Sequence, residues 1–123
     1  MKTVLLIEDD FQTREMLKKM LAKDGYRVLT APDGREGVAT FNRSGADLVI
    51  TDIVMPEQEG IETIIQLKRN VPELKIIAIS GGGRINPDGY LAMAKKLGAE
   101  QVLRKPIQRA DLLAAVRKLL PQG

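Results

Sequence analysis

The chain has 123 residues, enough for one domain with its own core and too few for a second. It has no cysteine and no histidine, which excludes disulfides, thiol chemistry, thiolate zinc sites and the commonest general base, so any chemistry rests on Asp, Glu, Ser and Lys. The charge of +3, from 19 Lys and Arg against 16 Asp and Glu, is mild. No apolar run approaches a membrane span, and Met1-Lys2 leads straight into a strand rather than a signal peptide, so the reading is a cytoplasmic domain over 1–123 with no membrane partner.

Short apolar runs recur about every 20 to 25 residues, separated by stretches of helical period, the mark of repeated βα units. The first run, Val4 to Ile7, ends at Glu8, Asp9 and Asp10, and Asp10 reads as the N-cap of a helix. Met16, Leu17, Met20 and Leu21 form that helix's apolar stripe, and Gly25 sits where a left-handed C-terminal cap would fall. Arg27 to Ala31 is the second run. Asp33, with Glu36 three residues on, has the form of a capping box. The third run, Asp47 to Ile50, is followed by Asp52, then by a stripe of Ile61, Ile64, Ile65 and Leu67. The fourth, Ile76 to Ile79, is followed by Ser80 and Gly81-Gly82-Gly83, and a fourth helix is predicted from Asp88, carrying Tyr90 and closing at Gly98. Gln101 to Leu103 leads to Lys105-Pro106 and a last stripe of Leu112, Leu113, Val116, Leu119 and Leu120. All three stripes read as core.

Runs this apolar suit strands covered on both faces, and the right-handed crossover rule then favours an open, doubly wound parallel sheet. In such a sheet the carboxyl ends of the strands face one crevice, where Glu8, Asp9, Asp52, Ser80 and Lys105 would meet. Each alone has an ordinary explanation: a helix cap, a turn serine, a surface lysine. Together they place three carboxylates where they repel one another unless a hard dication and an ammonium neutralise them. The combination implies a magnesium-assisted site that accepts a phosphoryl group.

Four motifs in order then carry a resemblance: Ile7-Glu8-Asp9-Asp10, Asp52-Ile53-Val54-Met55-Pro56 with Gly60 eight residues beyond Asp52, Ser80-Gly81, and Lys105-Pro106. From Lys2 to Leu120 the chain resembles the CheY-like receiver domain of two-component response regulators. The resemblance implies a flavodoxin-like (βα)5 sheet of strand order 2-1-3-4-5, with Asp52 taking a phosphoryl group from a phosphohistidine. It implies magnesium held by Glu8, Asp9, Asp52 and the Val54 carbonyl, phosphoryl contacts from Lys105 and Ser80, and Pro56, Gly60, Gly81 and Pro106 as structural neighbours. Ser80 would be the switch, coupled to movement of the loop after the fourth strand. The Lys105-Pro106 bond resembles one that is cis in the family.

Three departures stand out. Val102 occupies a position where family members usually carry Tyr or Phe, so output is expected to rely on displacement of the fourth helix. Ile107 replaces a frequent Phe. Val54 offers no polar side chain to orient water, so loss of the phosphoryl group is expected to take minutes or longer. Implied partners are a histidine kinase or histidine phosphotransfer protein, and a downstream protein on the basic face of the fourth helix, fifth strand and fifth helix. That face draws on Lys95, Lys96, Arg104, Lys105, Arg109, Arg117 and Lys118. It lacks aromatics and any base-reading motif, so no direct nucleic-acid contact is expected. The module is not expected to be an enzyme beyond weak self-phosphorylation and autodephosphorylation, and the sequence suits either a standalone protein or part of a longer regulator. Three alternatives are a phosphorylation-independent pseudo-receiver, a haloacid-dehalogenase-like phosphatase, which wants an acid where Val54 stands, and a flavodoxin-like cofactor binder, which wants more aromatics.

Overall fold

The computed structural model describes residues 1–53, 59–80, 92 and 95–121. Over them run β1 (Thr3–Ile7), α1 (Phe11–Lys23), β2 (Arg27–Ala31), α2 (Gly34–Ser44), β3 (Leu48–Asp52), α3 (Glu59–Asn70), β4 (Lys75–Ser80), β5 (Gln101–Arg104) and α4 (Arg109–Leu119). Of the helix expected from Asp88, Ala92, Lys95 and Lys96 are described and helical, while its start, with Tyr90, lies outside the described residues, as do Val54, Pro56, Gly81, Gly82 and Gly83; α4 is the helix expected as the fifth.

The strands form one sheet of order β2-β1-β3-β4-β5, every neighbouring pair parallel. A parallel sheet must be covered on both sides, and the strand pleat sends successive side chains to opposite faces. Leu5, Ile7, Val49, Ile76 and Ala78 accordingly pack on one face with Val38 and Phe41 of α2 and Ile61, Ile64 and Leu67 of α3. Val4, Leu6, Leu48, Ile50, Ile77 and Ile79 pack on the other with Leu17 and Leu21 of α1 and Leu112, Leu113 and Val116 of α4. Val102 joins the first cluster half-buried, and Ile107 is buried in the second.

The helix punctuation follows the sequence. Asp10 Oδ2 accepts from the Thr13 N–H at 2.8 Å and Asp33 Oδ1 from the Glu36 N–H at 2.8 Å. Gly25 and Gly98 have φ of 96° and 113°, a region that costs other L-residues energy.

Two expectations need correction. Met16 and Ile65, read as core, are 42% and 38% exposed. The buried seams centre on Leu17 and Leu21, and on Ile61, Ile64 and Leu67, and each helical residue turns about 100° from the last, which puts Met16 and Ile65 on the shoulders. The strands also outrun the apolar pattern: Asp52 and Ser80 are the last residues of β3 and β4, because the ladder continues from the Ile53 N–H to the Ile79 carbonyl (2.9 Å) and from the Lys105 N–H to the Ser80 carbonyl (2.8 Å).

Candidate functional site

The strand register alone assembles the site. Ile7 pairs with Thr51, Asp52 with Ile79, and Ser80 with Arg104. Glu8, Asp52, Ser80 and Lys105 therefore follow one another along the carboxyl edge at roughly 4.8 Å per strand. Lys105 starts two strands from Asp52, roughly 10 Å, a span its four-carbon stem largely covers.

Glu8, Asp9 and Asp52 each present a carboxylate oxygen within 4.8 Å of the others. Glu8 is fully buried and Asp52 nearly so, while Asp9 faces solvent. Into this cluster reaches the Lys105 ammonium, donating to Asp52 Oδ2 at 2.8 Å and lying 2.6 Å from Glu8 Oε1. The Glu8 contact falls outside hydrogen-bond angles, so it is an ion pair by distance that leaves Oε1 without an aligned donor. Glu8 Oε2 accepts from the Asp10 N–H at 3.1 Å.

These surroundings shift two groups. Burial pushes the Glu8 carboxyl up to about 7, with Lys105 pulling against it and Asp9 and Asp52 adding to it. Burial opposes the charge on Lys105, yet its hydrogen bond to Asp52 and its ion pair with Glu8 hold its pKa above the ordinary lysine value. Glu8 thus binds a proton more readily than a solvated carboxylate would, chiefly because it is buried. An all-oxygen donor set that can converge on one point suits a hard dication such as magnesium.

Ser80 stands at the end of β4, fully buried, and its Oγ has no hydrogen-bond partner among the described residues. A buried hydroxyl left in that state costs about 1–3 kcal/mol, which an acceptor oxygen arriving in the pocket would recover. Gly60 explains how α3 can begin so close to the site. A Cβ there would lie 2.3 Å from Ile53 Cα and 2.5 Å from the Asp52 carbonyl oxygen. Only a residue without a side chain lets α3 rest against the backbone that carries Asp52. The Lys105-Pro106 peptide is cis. Beside it, Thr13, Met16, Lys105, Pro106 and Ile107 line a groove of about 420 Å³.

Of the residues expected at the site, Glu8, Asp9, Asp52 and Lys105 are brought into contact, Ser80 and Gly60 lie directly beside them, and Val54, Pro56 and Gly81 are outside the described residues. One neighbour was not anticipated. Arg14 donates from its guanidinium to the Glu8 carbonyl at 2.8 Å and lies 5.5 Å from the Phe11 ring centre. The signal available was the Phe-x-x-Arg spacing, which puts both side chains on one helix face.

The family described as the response regulator receiver domain matches residues 4–117. The response regulator receiver protein CpdR of Brucella abortus is 37% identical over 122 residues, spanning 98% of each chain. The transcriptional regulatory protein CpxR of Klebsiella pneumoniae is 32% identical over 120 residues, which are 98% of this chain and 50% of that protein. This chain spans half or less of the length of several such transcriptional regulators. Among solved structures, a response regulator receiver domain protein from Clostridium thermocellum superposes with a TM-score of 0.88 at 31% identity, over 98% of this chain and 94% of that one.

Proposed function

This chain belongs to the response regulator receiver domain family, and from that premise we propose that Asp52 accepts a phosphoryl group and that the charge change switches partner binding. The observation that carries this reading is the convergence of Glu8, Asp9 and Asp52 oxygens within 4.8 Å, with the Lys105 ammonium 2.8 Å from Asp52.

Asp52 attacks the phosphorus of a phosphohistidine. A P–O bond forms as the P–N bond breaks, leaving an acyl phosphate on Asp52 and returning the imidazole to the donor. Asp52 suits the role because its backbone is fixed by the β3–β4 ladder and by the approach of α3 at Gly60. Glu8, Asp9 and Asp52 would hold magnesium, and the Val54 carbonyl would join them by resemblance to the family. When bound, magnesium supplies the positive charge that offsets repulsion between the acids and an incoming dianion. Lys105 moves from pairing carboxylates to pairing a phosphoryl oxygen as a point charge. Ser80 donates its free hydroxyl to another phosphoryl oxygen, coupling the modification to the segment that begins at Gly81. Val102 cannot swing a ring in response, which leaves that segment and the predicted helix after it as the route of output.

The phosphodonor, a histidine kinase or histidine phosphotransfer protein, approaches over the groove lined by Thr13, Met16, Pro106 and Ile107, which opens beside Lys105. The downstream partner is a protein that meets the basic surface around β5 and α4, not a nucleic acid. No helix among the described residues is long and apolar enough to cross a membrane, which is consistent with a cytoplasmic module. The test is to incubate the protein and Asp52→Asn with magnesium and acetyl phosphate and record intact mass. A gain of one phosphoryl group in the parent and none in the variant is expected; equal gain in both would refute the assignment of Asp52.

A further inference from the structure

We propose that Arg14, steadied by Phe11, is a positioning residue that holds the turn carrying Glu8 and Asp9 in place for the cation. The proposal rests on the pocket reading above. β1 ends at Ile7, and the Glu8 N–H makes one more ladder bond, to the Ala31 carbonyl at 3.1 Å. In a parallel ladder the carbonyl of the same residue points toward the same neighbouring strand and expects an N–H further along it. β2 stops at Ala31, so the strand supplies no donor. The Arg14 guanidinium takes that place at 2.8 Å.

The turn is therefore held from three sides. Glu8 N–H is bound to β2, Asp10 is bound through its side chain to Thr13, and the Glu8 carbonyl is bound to Arg14. Like the Asp10 cap, the Arg14 bond is charge-assisted, the stronger kind, and of the three it is the one that binds the Glu8 carbonyl. It also fixes the peptide plane from which both acidic side chains project. Phe11 is 64% exposed, and its ring faces the guanidinium at 5.5 Å, within cation–π range. A planar guanidinium can lie over the ring while its fork donates to the carbonyl, which a lysine ammonium does less well. The ordinary alternative is a surface pair that merely stabilises the first turn of α1, and the two readings differ in what they do to the cation.

Residues that orient metal ligands without touching the metal usually change affinity by about 10–100-fold when lost. The test titrates magnesium into the parent, Arg14→Met, Arg14→Lys and Phe11→Ala, following the amide signals of Glu8, Asp9 and Asp10, with urea unfolding in EDTA as the measure of folding. Arg14→Met, which keeps the stem and removes the donors, is expected to bind magnesium at least about tenfold more weakly while its ion-free unfolding stays close to the parent's. Arg14→Lys is expected to recover part of the loss, and Phe11→Ala to weaken binding by a smaller factor. Parent-like affinity in Arg14→Met, or no recovery in Arg14→Lys, overturns the proposal. Should Arg14→Met fail to fold, parent-like affinity in both Arg14→Lys and Phe11→Ala overturns it instead. A parent that takes up no magnesium brings down the pocket reading itself, and this proposal with it.

Discussion

Replacing Glu8 by Gln is expected to flatten the pH dependence of stability in the magnesium-free protein. Burial lifts the Glu8 carboxyl from 4.5 to about 7. Between those values the folded chain keeps a proton that the unfolded chain has released, so raising the pH favours unfolding. The stabilisation from that proton is complete below the unfolded value, declines as the pH climbs, and is gone above about 7. Integrating the linkage relation from pH 5 to pH 8 gives a loss of about 2–3 kcal/mol. Gln preserves the shape of the side chain and has no proton to lose. All other titrating groups are shared by the two proteins, so the difference between their stabilities isolates Glu8. The assay is urea unfolding of both in EDTA at pH 5, 6, 7 and 8. With a slope of about 1–3 kcal/mol per molar urea, the gap between their midpoints should change by about 1–2 M across the series, in favour of the variant at high pH. Parallel midpoints would refute the buried, proton-holding Glu8.

Magnesium needs the ionised form of Glu8, so its affinity should rise by nearly tenfold per pH unit below about 7 and level off above it; equal affinity at pH 6 and pH 8 in a calorimetric titration would contradict this. Gly60→Ala should destabilise the fold by about 1–3 kcal/mol, because the atoms its methyl meets are backbone and cannot step aside, and an unchanged unfolding midpoint would count against that packing. Lys105→Met leaves two buried carboxylates without their counterion. It should cost about 3 kcal/mol at pH 8 and clearly less at pH 5, where Glu8 holds a proton, whereas the same cost at both would argue that the ion pair is not what stabilises the pocket.

The apolar runs of β1 and β4 were legible because strands buried on both faces leave an unbroken hydrophobic signature, and the sheet order followed from the resemblance. The caps at Asp10 and Asp33 could be read since each rests on a local side-chain bond to a backbone N–H three residues on. Strand ends were less legible, for Asp52 and Ser80 extend the ladder with polar side chains that hydropathy treats as a boundary. Met16 and Ile65 mislead for a related reason: a stripe names a helix face, and only packing decides where its edge falls. The acids, Ser80 and Lys105 were found because polar groups just past apolar runs share one edge of such a sheet. Arg14 was not, since its task depends on which peptide carbonyl the pairing of β1 with β2 leaves without a donor, a fact of register rather than composition.

The most direct test is to treat the protein with acetyl phosphate and magnesium, reduce it with borohydride, which converts an acyl phosphate to the corresponding alcohol, and map the digest by peptide mass. The account predicts homoserine at position 52 alone, and none when EDTA replaces magnesium. Reduction at Glu8, at Asp9 or at no acid in the chain would contradict it.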